Sequence, residues 1–325
     1  MGGLTKVFGL TLAGALAAAA AGCGCCKNVS GNQVNNVIET GKAGWLKRAM
    51  TDSIARIAGE YPGEIGVAVI YEIPEGGKMD TVAVNNAAVY PMMSVFKLHQ
   101  ALAVCRELDR MGVSLDTVMT IRREGLDPKT WSPMLREHSE PVIELSVGDL
   151  LRYTLSQSDN NASNLMFRRL VDVARTDSFV ATLIPREDFR IAYTEEEMSA
   201  DHGRAYANRT SPLGVAMLMR RLFTERLMSG KKQEFVKRTL AECATGKDRI
   251  VAPLIGKEGV RVAHKTGSGY VENGVLAAHN DVAYVQLPGG RAYTLAVLVK
   301  DFKGNEAEAS KAVARISEAV YGLLK

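Results

Sequence analysis

The amino-acid sequence predicts an α/β protein in which an antiparallel sheet is flanked by helices from both chain ends and carries an inserted, all-helical subdomain. Strand patterns occur before residue 85 and after residue 259, whereas helical patterns dominate from Ser94 to about residue 242. The helices predicted at the two ends are amphipathic and need a sheet face to cover their apolar side. The outer segments therefore form one α/β layer, and the helical block is inserted into it.

The α/β layer begins with a helix predicted to start near Gly44. Apolar residues recur there at helical spacing, namely Trp45, Leu46, Met50, Ile54 and Ile57. Pro62-Gly63 ends this helix. Two short apolar runs, 65–70 and 81–84, are predicted to be strands.

The inserted block opens with a helix predicted from Ser94 to Gly112. Its clearest further helices are 147–155, 162–174 and 212–227. The block accounts for most of residues 93–244. We expect chemistry in the cleft between it and the α/β layer.

Strand patterns return after Gly259, over 260–267, 281–287 and 293–300. Gly289-Gly290 between the last two strands indicates a hairpin turn. A final amphipathic helix is predicted over 306–324. Residues 43–92 and 245–325 therefore form the α/β part of a domain that spans 43–325.

Composition excludes several classes of function. The chain has 325 residues, 46% of them hydrophobic, which is enough for a large core without disulfides. Its net charge of +4 is mild and no dense basic stripe is present, so nucleic acid is not an expected partner. Neither HExxH nor paired CxxC motifs occur, and we expect no metal and no cofactor.

The N-terminus has the pattern of an export signal over residues 1–22. Lys6 precedes an apolar run from Val7 to Ala21, and small residues follow. Ala20-Ala21-Gly22-Cys23 resembles a bacterial lipobox, so Cys23 is a candidate for lipidation, with plain signal cleavage nearby as the alternative. Residues 23–42 are predicted to be a flexible tether. We therefore expect an exported, periplasmic protein, held to the membrane if Cys23 carries a lipid.

Only two of the five cysteines, Cys105 and Cys243, fall in the folded part. They could pair in an oxidising compartment, or each could be a small buried apolar residue. The sequence alone leaves both readings open.

Three short motifs carry the chemistry. Ser94 and Lys97 are three residues apart on one helix face, where a lysine amine can take the proton of a serine nucleophile at the helix N-terminus. A second S-x-x-K occurs at Ser229 in a polar, basic stretch. Only the first copy is followed by Ser158-Asp159-Asn160 and then by Lys265-Thr266-Gly267.

These motifs in this order are the signature of class A β-lactamases and penicillin-binding proteins. Over residues 43–325 the sequence resembles the class A β-lactamases, and it is most similar to the CfxA-type cephalosporinases. The stretches that carry this second resemblance are PMMSVFKLHQAL, DPKTWSPML, SDNNASNLMF, YTEEEMSADH and AHKTGSGY. The resemblance implies a β-lactamase/transpeptidase-like fold, hydrolysis of β-lactam antibiotics such as cephalosporins and penicillins, and a monomer.

The resemblance also implies roles for single residues. Ser94 would form the acyl-enzyme and Lys97 would accept its proton, while Ser158 would pass a proton to the β-lactam nitrogen. Lys265 would place positive charge near the substrate carboxylate. The remaining substrate contacts would come from Asn160, Thr266, Gly267 and Ser268, and the oxyanion hole would come from the backbone N–H groups of Ser94 and Ser268.

Deacylation needs a base for water, and the resemblance places it at Glu195, with Glu196 and Glu197 as the alternatives. Glu195 lies 17 residues before Pro212, the spacing expected from the family. Ser199 and Asn208 depart from the usual loop pattern.

Three further positions bear on substrate preference. Trp131 is either an aromatic contact at the cleft rim or a packing residue, and Arg249 either binds the substrate carboxylate or is a surface charge. Ser268 favours cephalosporins. Met93 and Gly269 stand where carbapenemases often have bridged cysteines, so strong carbapenem hydrolysis is not expected.

Two other functions are compatible with the motifs. A penicillin-binding D,D-peptidase would have the same three motifs but no deacylating base. A catalytically inactive lipoprotein would use the same cleft to bind cell-wall peptides.

Overall fold

The computed structural model describes residues 31–74 and 76–325, with side chains described at position 41 and from 43 onward. The predicted signal segment 1–22 and the lipidation candidate Cys23 lie outside these residues. One compact unit comprises Gly41–Lys325. Within the described residues, no helix is both long enough and apolar enough to span a bilayer.

The helices are α1 (Gly31–Gly59), α2 (Phe96–Met111), α3 (Pro133–Glu137), α4 (Val147–Ser156), α5 (Asn160–Arg169), α6 (Val173–Val180), α7 (Glu195–Ala200), α8 (Pro212–Thr224), α9 (Gly230–Ala241) and α10 (Glu306–Leu324). The strands are β1 (Glu64–Glu72), β2 (Met79–Val84), β3 (Tyr90–Pro91), β4 (Val118–Arg122), β5 (Val142–Ser146), β6 (Phe189–Arg190), β7 (Arg209–Thr210), β8 (Arg261–Ser268), β9 (Val271–Glu272), β10 (Val275–Gln286) and β11 (Ala292–Phe302).

The main sheet has the strand order β2-β1-β11-β10-β8, with β9 added to β10, and every pairing is antiparallel. The predicted hairpin between β10 and β11 is confirmed: Gly289 and Gly290 have φ values of 80° and 88°, which suit glycine. Strand β8 is the sheet edge that faces the helical block, and it carries the Lys-Thr-Gly motif.

The sheet separates two apolar cores, as the period of two along a strand requires. Val67, Val69 and Tyr71 of β1 pack in a core with residues of α1 and α10. Ala68 and Ile70 point to the opposite face, into a core with the helical block. The predicted α/β architecture with an antiparallel sheet is therefore confirmed.

Residues 31–42 of the predicted tether are part of α1 in the structure. The structure corrects two details of the prediction. The single helix predicted over 162–174 is two helices, because Asp172 caps a new one by accepting from the Arg175 N–H. Strand β10 begins at Val275 rather than at 281, because its first half contains buried polar residues that hide the apolar strand pattern.

Two small sheets were not predicted: β4-β5 lies within the helical block, and β3-β7-β6 joins two strands of the block to β3, which precedes it. Strands β3, β6 and β7 are two residues long each, which is too short for a visible alternation. The hydrogen bond from the Met92 N–H to the Asn208 carbonyl oxygen extends the contact between β3 and β7 toward Ser94.

Candidate active site

A cavity of about 680 Å³ opens between the edge strand β8 and the helical block. Most of the predicted site residues line it, namely Ser94, Trp131, Ser158, Asn160, Glu195, Thr266 and Ser268. Lys97 and Lys265 are fully buried and reach this cavity through Ser94 and Ser158. Among the described residues no group of His, Cys, Asp or Glu is arranged to hold a metal ion.

Ser94 lies on a 3-10 turn, Met93–Val95, that runs directly into α2. Met93 has a φ of 46°, in the left-handed region that non-glycine residues seldom adopt, so the surrounding structure must hold this turn in place. A Cβ at Gly267 would lie 2.4 Å from the Met92 carbonyl oxygen. Glycine at 267 therefore lets the β8 strand approach the turn that carries the nucleophile.

Lys97 connects three of the predicted catalytic groups. Its Nζ lies 2.9 Å from Ser94 Oγ and 2.8 Å from Glu195 Oε1. It also donates to Asn160 Oδ1 at 2.6 Å and to the Ser158 carbonyl oxygen at 2.8 Å. Because the ammonium is surrounded by acceptors, its charge is compensated although the side chain is fully buried.

The Ser158-Asp159-Asn160 loop is held by its middle residue. Ser158 has a φ of 61° and is left-handed. Asp159 is fully buried, caps α5 through the Ala162 N–H at 2.8 Å, and accepts from the Met134 N–H at 2.7 Å. Burial raises the pKa of this carboxyl group, although these hydrogen bonds oppose the shift. Asp159 thus fixes the loop and orients its two neighbours toward the cavity.

Glu195 is the acidic residue of its loop that reaches the nucleophile. It begins α7, and its Oε1 accepts from Ser94 Oγ at 2.9 Å. Glu197 instead caps the same helix by accepting from the Thr194 N–H and hydroxyl. The side chain of Glu196 is 62% exposed and lies near Arg168. Of the three candidates, only Glu195 is placed to act on Ser94.

Asn208 closes the base of the Glu195 loop. Its fully buried side chain accepts from the Ala192 and Tyr193 N–H groups and donates to the Tyr193 carbonyl oxygen. A carboxylate is often found at this position, but a carboxylate only accepts hydrogen bonds. The Asn208 amide makes all three hydrogen bonds, because it can both donate and accept. Ser199 follows Glu195 by one helical turn and lines the cavity on the same face of α7.

Lys265 lies opposite Lys97 and donates to Ser158 Oγ at 3.0 Å. Complete burial, together with the charge of Lys97, lowers its pKa to about 8 despite nearby anionic groups. The amine therefore remains mostly charged at neutral pH and loses its proton under mildly alkaline conditions.

Arg249 is not a surface charge, since only 5% of the residue is exposed. Its Nη2 donates to Ser268 Oγ at 2.5 Å, and its Nη1 donates to the Asn280 carbonyl oxygen at 2.7 Å. Burial lowers its pKa, while Asp281 and Asp248 oppose that effect. The guanidinium group thus places positive charge directly behind the Ser268 hydroxyl at the cavity wall.

Trp131 lies at the cavity rim with 54% of its surface exposed. Its Nε1 donates to the Gln157 carbonyl oxygen at 2.9 Å, and Arg136 lies 4.4 Å from the ring centroid. The ring is therefore fixed in orientation while remaining open to a ligand.

Several cavity residues were not predicted from the sequence. Thr130 accepts from Asn160 Nδ2 at 2.8 Å, and Thr245 Oγ1 lies 2.5 Å from Thr266 Oγ1. The rings of His202 and Tyr270 stack at 3.9 Å and join the Glu195 loop to the β8–β9 turn. Of these residues, only Thr130 could have been found from the sequence, because it directly precedes Trp131.

The comparisons with known proteins agree with this geometry. Residues 49–324 match the family described as "Beta-lactamase enzyme family". A β-lactamase of Phocaeicola vulgatus is 67% identical over 280 residues, covering 86% of each chain. The crystal structure of the TLA-3 extended-spectrum β-lactamase superposes with a TM-score of 0.80 at 31% identity, covering 86% of this chain and all of the other. A class A β-lactamase of Bacteroides cellulosilyticus gives 0.79 at 29% identity over 86% and 98% of the two chains.

The fold and the comparisons define a hydrolase of the β-lactamase class. The chain belongs to the β-lactamase enzyme family, and within it to the class A β-lactamases. The resemblance found in the sequence is thereby confirmed.

Proposed function

We propose that this class A β-lactamase acts through an acyl-enzyme on Ser94, which water activated by Glu195 hydrolyses, and that it prefers cephalosporins. The observation that carries the proposal is the contact of Glu195 Oε1 with both Ser94 Oγ at 2.9 Å and Lys97 Nζ at 2.8 Å. A D,D-peptidase needs no such carboxylate, because it does not have to activate water for rapid deacylation.

In the acylation step, Lys97 transfers a proton to Glu195 and, once uncharged, takes the proton of Ser94. The net movement carries the Ser94 proton to Glu195 over two short contacts of 2.9 and 2.8 Å. Ser94 Oγ attacks the β-lactam carbonyl carbon, and the N–H groups of Ser94 and Ser268 stabilise the oxyanion. Each such donor typically raises the rate on the order of 10²–10³-fold. Ser158 then protonates the nitrogen as the C–N bond breaks, and the proton held by Glu195 passes back through Lys97 to Ser158, which restores the Glu195 carboxylate for deacylation.

In the deacylation step, Glu195 removes a proton from a water molecule that attacks the ester carbonyl. We propose that the Ser199 hydroxyl is the second group that binds this water, because it lies one turn from Glu195 on the same face of α7. Proton return through Glu195 restores Ser94 and releases the product.

The substrate carboxylate would bind where Thr266 and Ser268 line the cavity. Arg249 donates to Ser268 Oγ, so the hydroxyl hydrogen is free to point toward an anion. This arrangement supports a preference for the dihydrothiazine carboxylate of cephalosporins. Met93 Cε lies 3.1 Å from the position that a Cβ at Gly269 would take, so these two residues are adjacent. In many carbapenemases a disulfide bridges the two positions. Because no cysteine stands at either position here, we propose slow carbapenem turnover.

The test compares wild-type protein with Ser94→Ala on a panel of cephalosporins, penicillins, a monobactam and a carbapenem. We expect kcat/KM to be highest on cephalosporins and to fall by about 10³-fold or more in the variant, which loses the covalent route. Asn160 and Thr266 remain in that variant, so it should still bind substrate. Equal hydrolysis by the two proteins would refute the nucleophile, and a higher kcat/KM on penicillins would refute the preference.

We also propose that the protein is exported to the periplasm as a monomer, with residues 1–22 removed and a lipid on Cys23. The basic, apolar and small-residue order of the N-terminus supports this proposal. Mass spectrometry of the mature protein, with Cys23→Ala as the control, should show the lipid only in the wild type. An unmodified mature terminus in wild-type protein would contradict it.

A further inference from the structure

A second cluster of reactive side chains lies behind the Lys-Thr-Gly strand, on the far side of the catalytic cavity. Cys243, just after α9, and His264 of β8 both line a separate cavity of about 410 Å³. His264 Nδ1 lies 2.9 Å from Asp281 Oδ1, and the Asp281 side chain is fully buried. Both side chains line the same cavity, and because Nδ1 is paired with Asp281, Nε2 is the ring nitrogen of His264 that can meet the Cys243 thiol.

A thiol, an imidazole near it and a carboxylate that orients the imidazole form an arrangement that activates a nucleophile. We propose that Cys243 is a reactive thiol that small soft electrophiles alkylate from the rear cavity, and that its alkylation slows hydrolysis in the catalytic cavity.

The charges around the thiol favour its ionised form. Burial would raise the pKa of Cys243, but the charges of His264 and Lys265 lower it to about 7. Burial likewise opposes charge on His264, yet Asp281 raises the pKa of that imidazole to about 10. Lys247 and Lys257 line the same cavity and add positive charge.

A chain of hydroxyl groups links the thiol to the catalytic cavity. Cys243 Sγ lies 3.4 Å from Thr245 Oγ1, which lies 2.5 Å from Thr266 Oγ1. Thr245 and Thr266 both line the catalytic cavity, and Lys265 is the neighbour of His264 in β8. A group added to the sulfur therefore displaces Thr245 and removes a negative charge that acts on Lys265.

The reaction with iodoacetamide balances without any further reactant. The Cys243 thiolate attacks the methylene carbon, an S–C bond forms, the C–I bond breaks and iodide leaves with the bonding electrons. The thiol proton has already passed to solvent, because His264 is a cation paired with Asp281 and cannot accept it. Cys105 is the internal control, because it is fully buried and burial raises its pKa to about 12.

The experiment treats the full chain with iodoacetamide at several pH values and maps the tryptic peptides 239–247 and 98–106, which contain Cys243 and Cys105. We expect Cys243 to be alkylated at least about 100-fold faster than Cys105 at pH 7, after allowing for the lower nucleophilicity of a less basic thiolate. Its rate should level off above pH 7. His264→Asn should slow it about fivefold at pH 7 and move the rise in rate to higher pH.

Hydrolysis of a chromogenic cephalosporin is followed in the same samples. Complete alkylation should lower kcat/KM about 10- to 100-fold, since a misplacement on the order of 1 Å can cost up to about 10²-fold in rate. Cys243→Ser is the matched control, and iodoacetamide should not change its rate. Alkylation no faster than at Cys105, or an alkylated wild type with unchanged kcat/KM, would overturn the proposal. Both results are independent of whether Glu195 is the deacylating base.

Discussion

Replacing Asp159 by alanine tests how the catalytic loop is held. Two buried backbone N–H groups, of Met134 and Ala162, would lose their acceptor, and so would the Ser132 hydroxyl. Each unsatisfied buried donor costs about 1–3 kcal/mol. The variant is relieved of a buried carboxylate, which offsets part of this cost. We expect the free energy of unfolding to fall by about 2–4 kcal/mol.

Guanidinium denaturation followed by circular dichroism measures this loss. Asp172→Ala is the matched control, because it removes one helix cap at an exposed position and should cost about 1 kcal/mol. We also expect kcat/KM to fall in Asp159→Ala but not in Asp172→Ala, because Ser158 and Asn160 are the neighbours of Asp159 and not of Asp172. A loss of stability in Asp159→Ala no larger than in the control would refute the reasoning.

Three further predictions concern the cavity. Burial lowers the pKa of Lys265 to about 8, so kcat/KM should decline as pH rises through about 8. A Lys265→Arg variant should retain its kcat/KM to higher pH. The same decline in kcat/KM above pH 8 in this variant as in the wild type would contradict the prediction. Ser268→Ala should lower kcat/KM about tenfold more on cephalosporins than on penicillins, which parallel kinetics with both classes measure, and equal losses would be inconsistent with the proposed contact. Ser199→Ala should slow deacylation about tenfold without changing the acylation rate in stopped-flow measurements, because the water loses one of two ligands, and an unchanged rate would remove Ser199 from the mechanism.

Local patterns in the sequence fix some of these features. Ser94 and Lys97 are three residues apart at the start of a helix, so their contact of 2.9 Å follows from helix geometry. The spacing to Pro212 favours Glu195 among three adjacent glutamates, and its carboxylate lies 2.9 Å from Ser94 Oγ in the structure. The continuous apolar runs in β1 and β11 likewise predict two strands of the sheet.

Other features depend on contacts between distant segments. The stacking of His202 on Tyr270 and the bond between Thr245 and Thr266 join residues with no shared local pattern. The buried position of Arg249 depends on acceptors in β8 and β10 that only the folded sheet supplies. Each of these contacts is set by tertiary packing, so periodicity and motif spacing carry no signal for it.

The boundaries show the same limit at smaller scale. Asp172 lies within an apolar helical pattern, yet its side chain begins a new helix, because a local hydrogen bond competes with helix continuation. In β10, Asn280 is buried and donates to the Pro91 carbonyl oxygen, so a polar residue occupies a core strand position.

The most direct test of the central claim is intact-protein mass spectrometry of Glu195→Gln mixed with a cephalosporin. The variant loses the proton acceptor of Lys97, so acylation is slower, but uncharged Lys97 can still take the Ser94 proton and the acyl-enzyme forms; the loss of the general base slows deacylation by about 10²–10⁴-fold. Glu196→Gln is the matched control, since that side chain is exposed and lies away from Ser94. We predict a persistent adduct on Ser94 in Glu195→Gln and full turnover in Glu196→Gln. Normal turnover in Glu195→Gln, with no adduct, would contradict the mechanism.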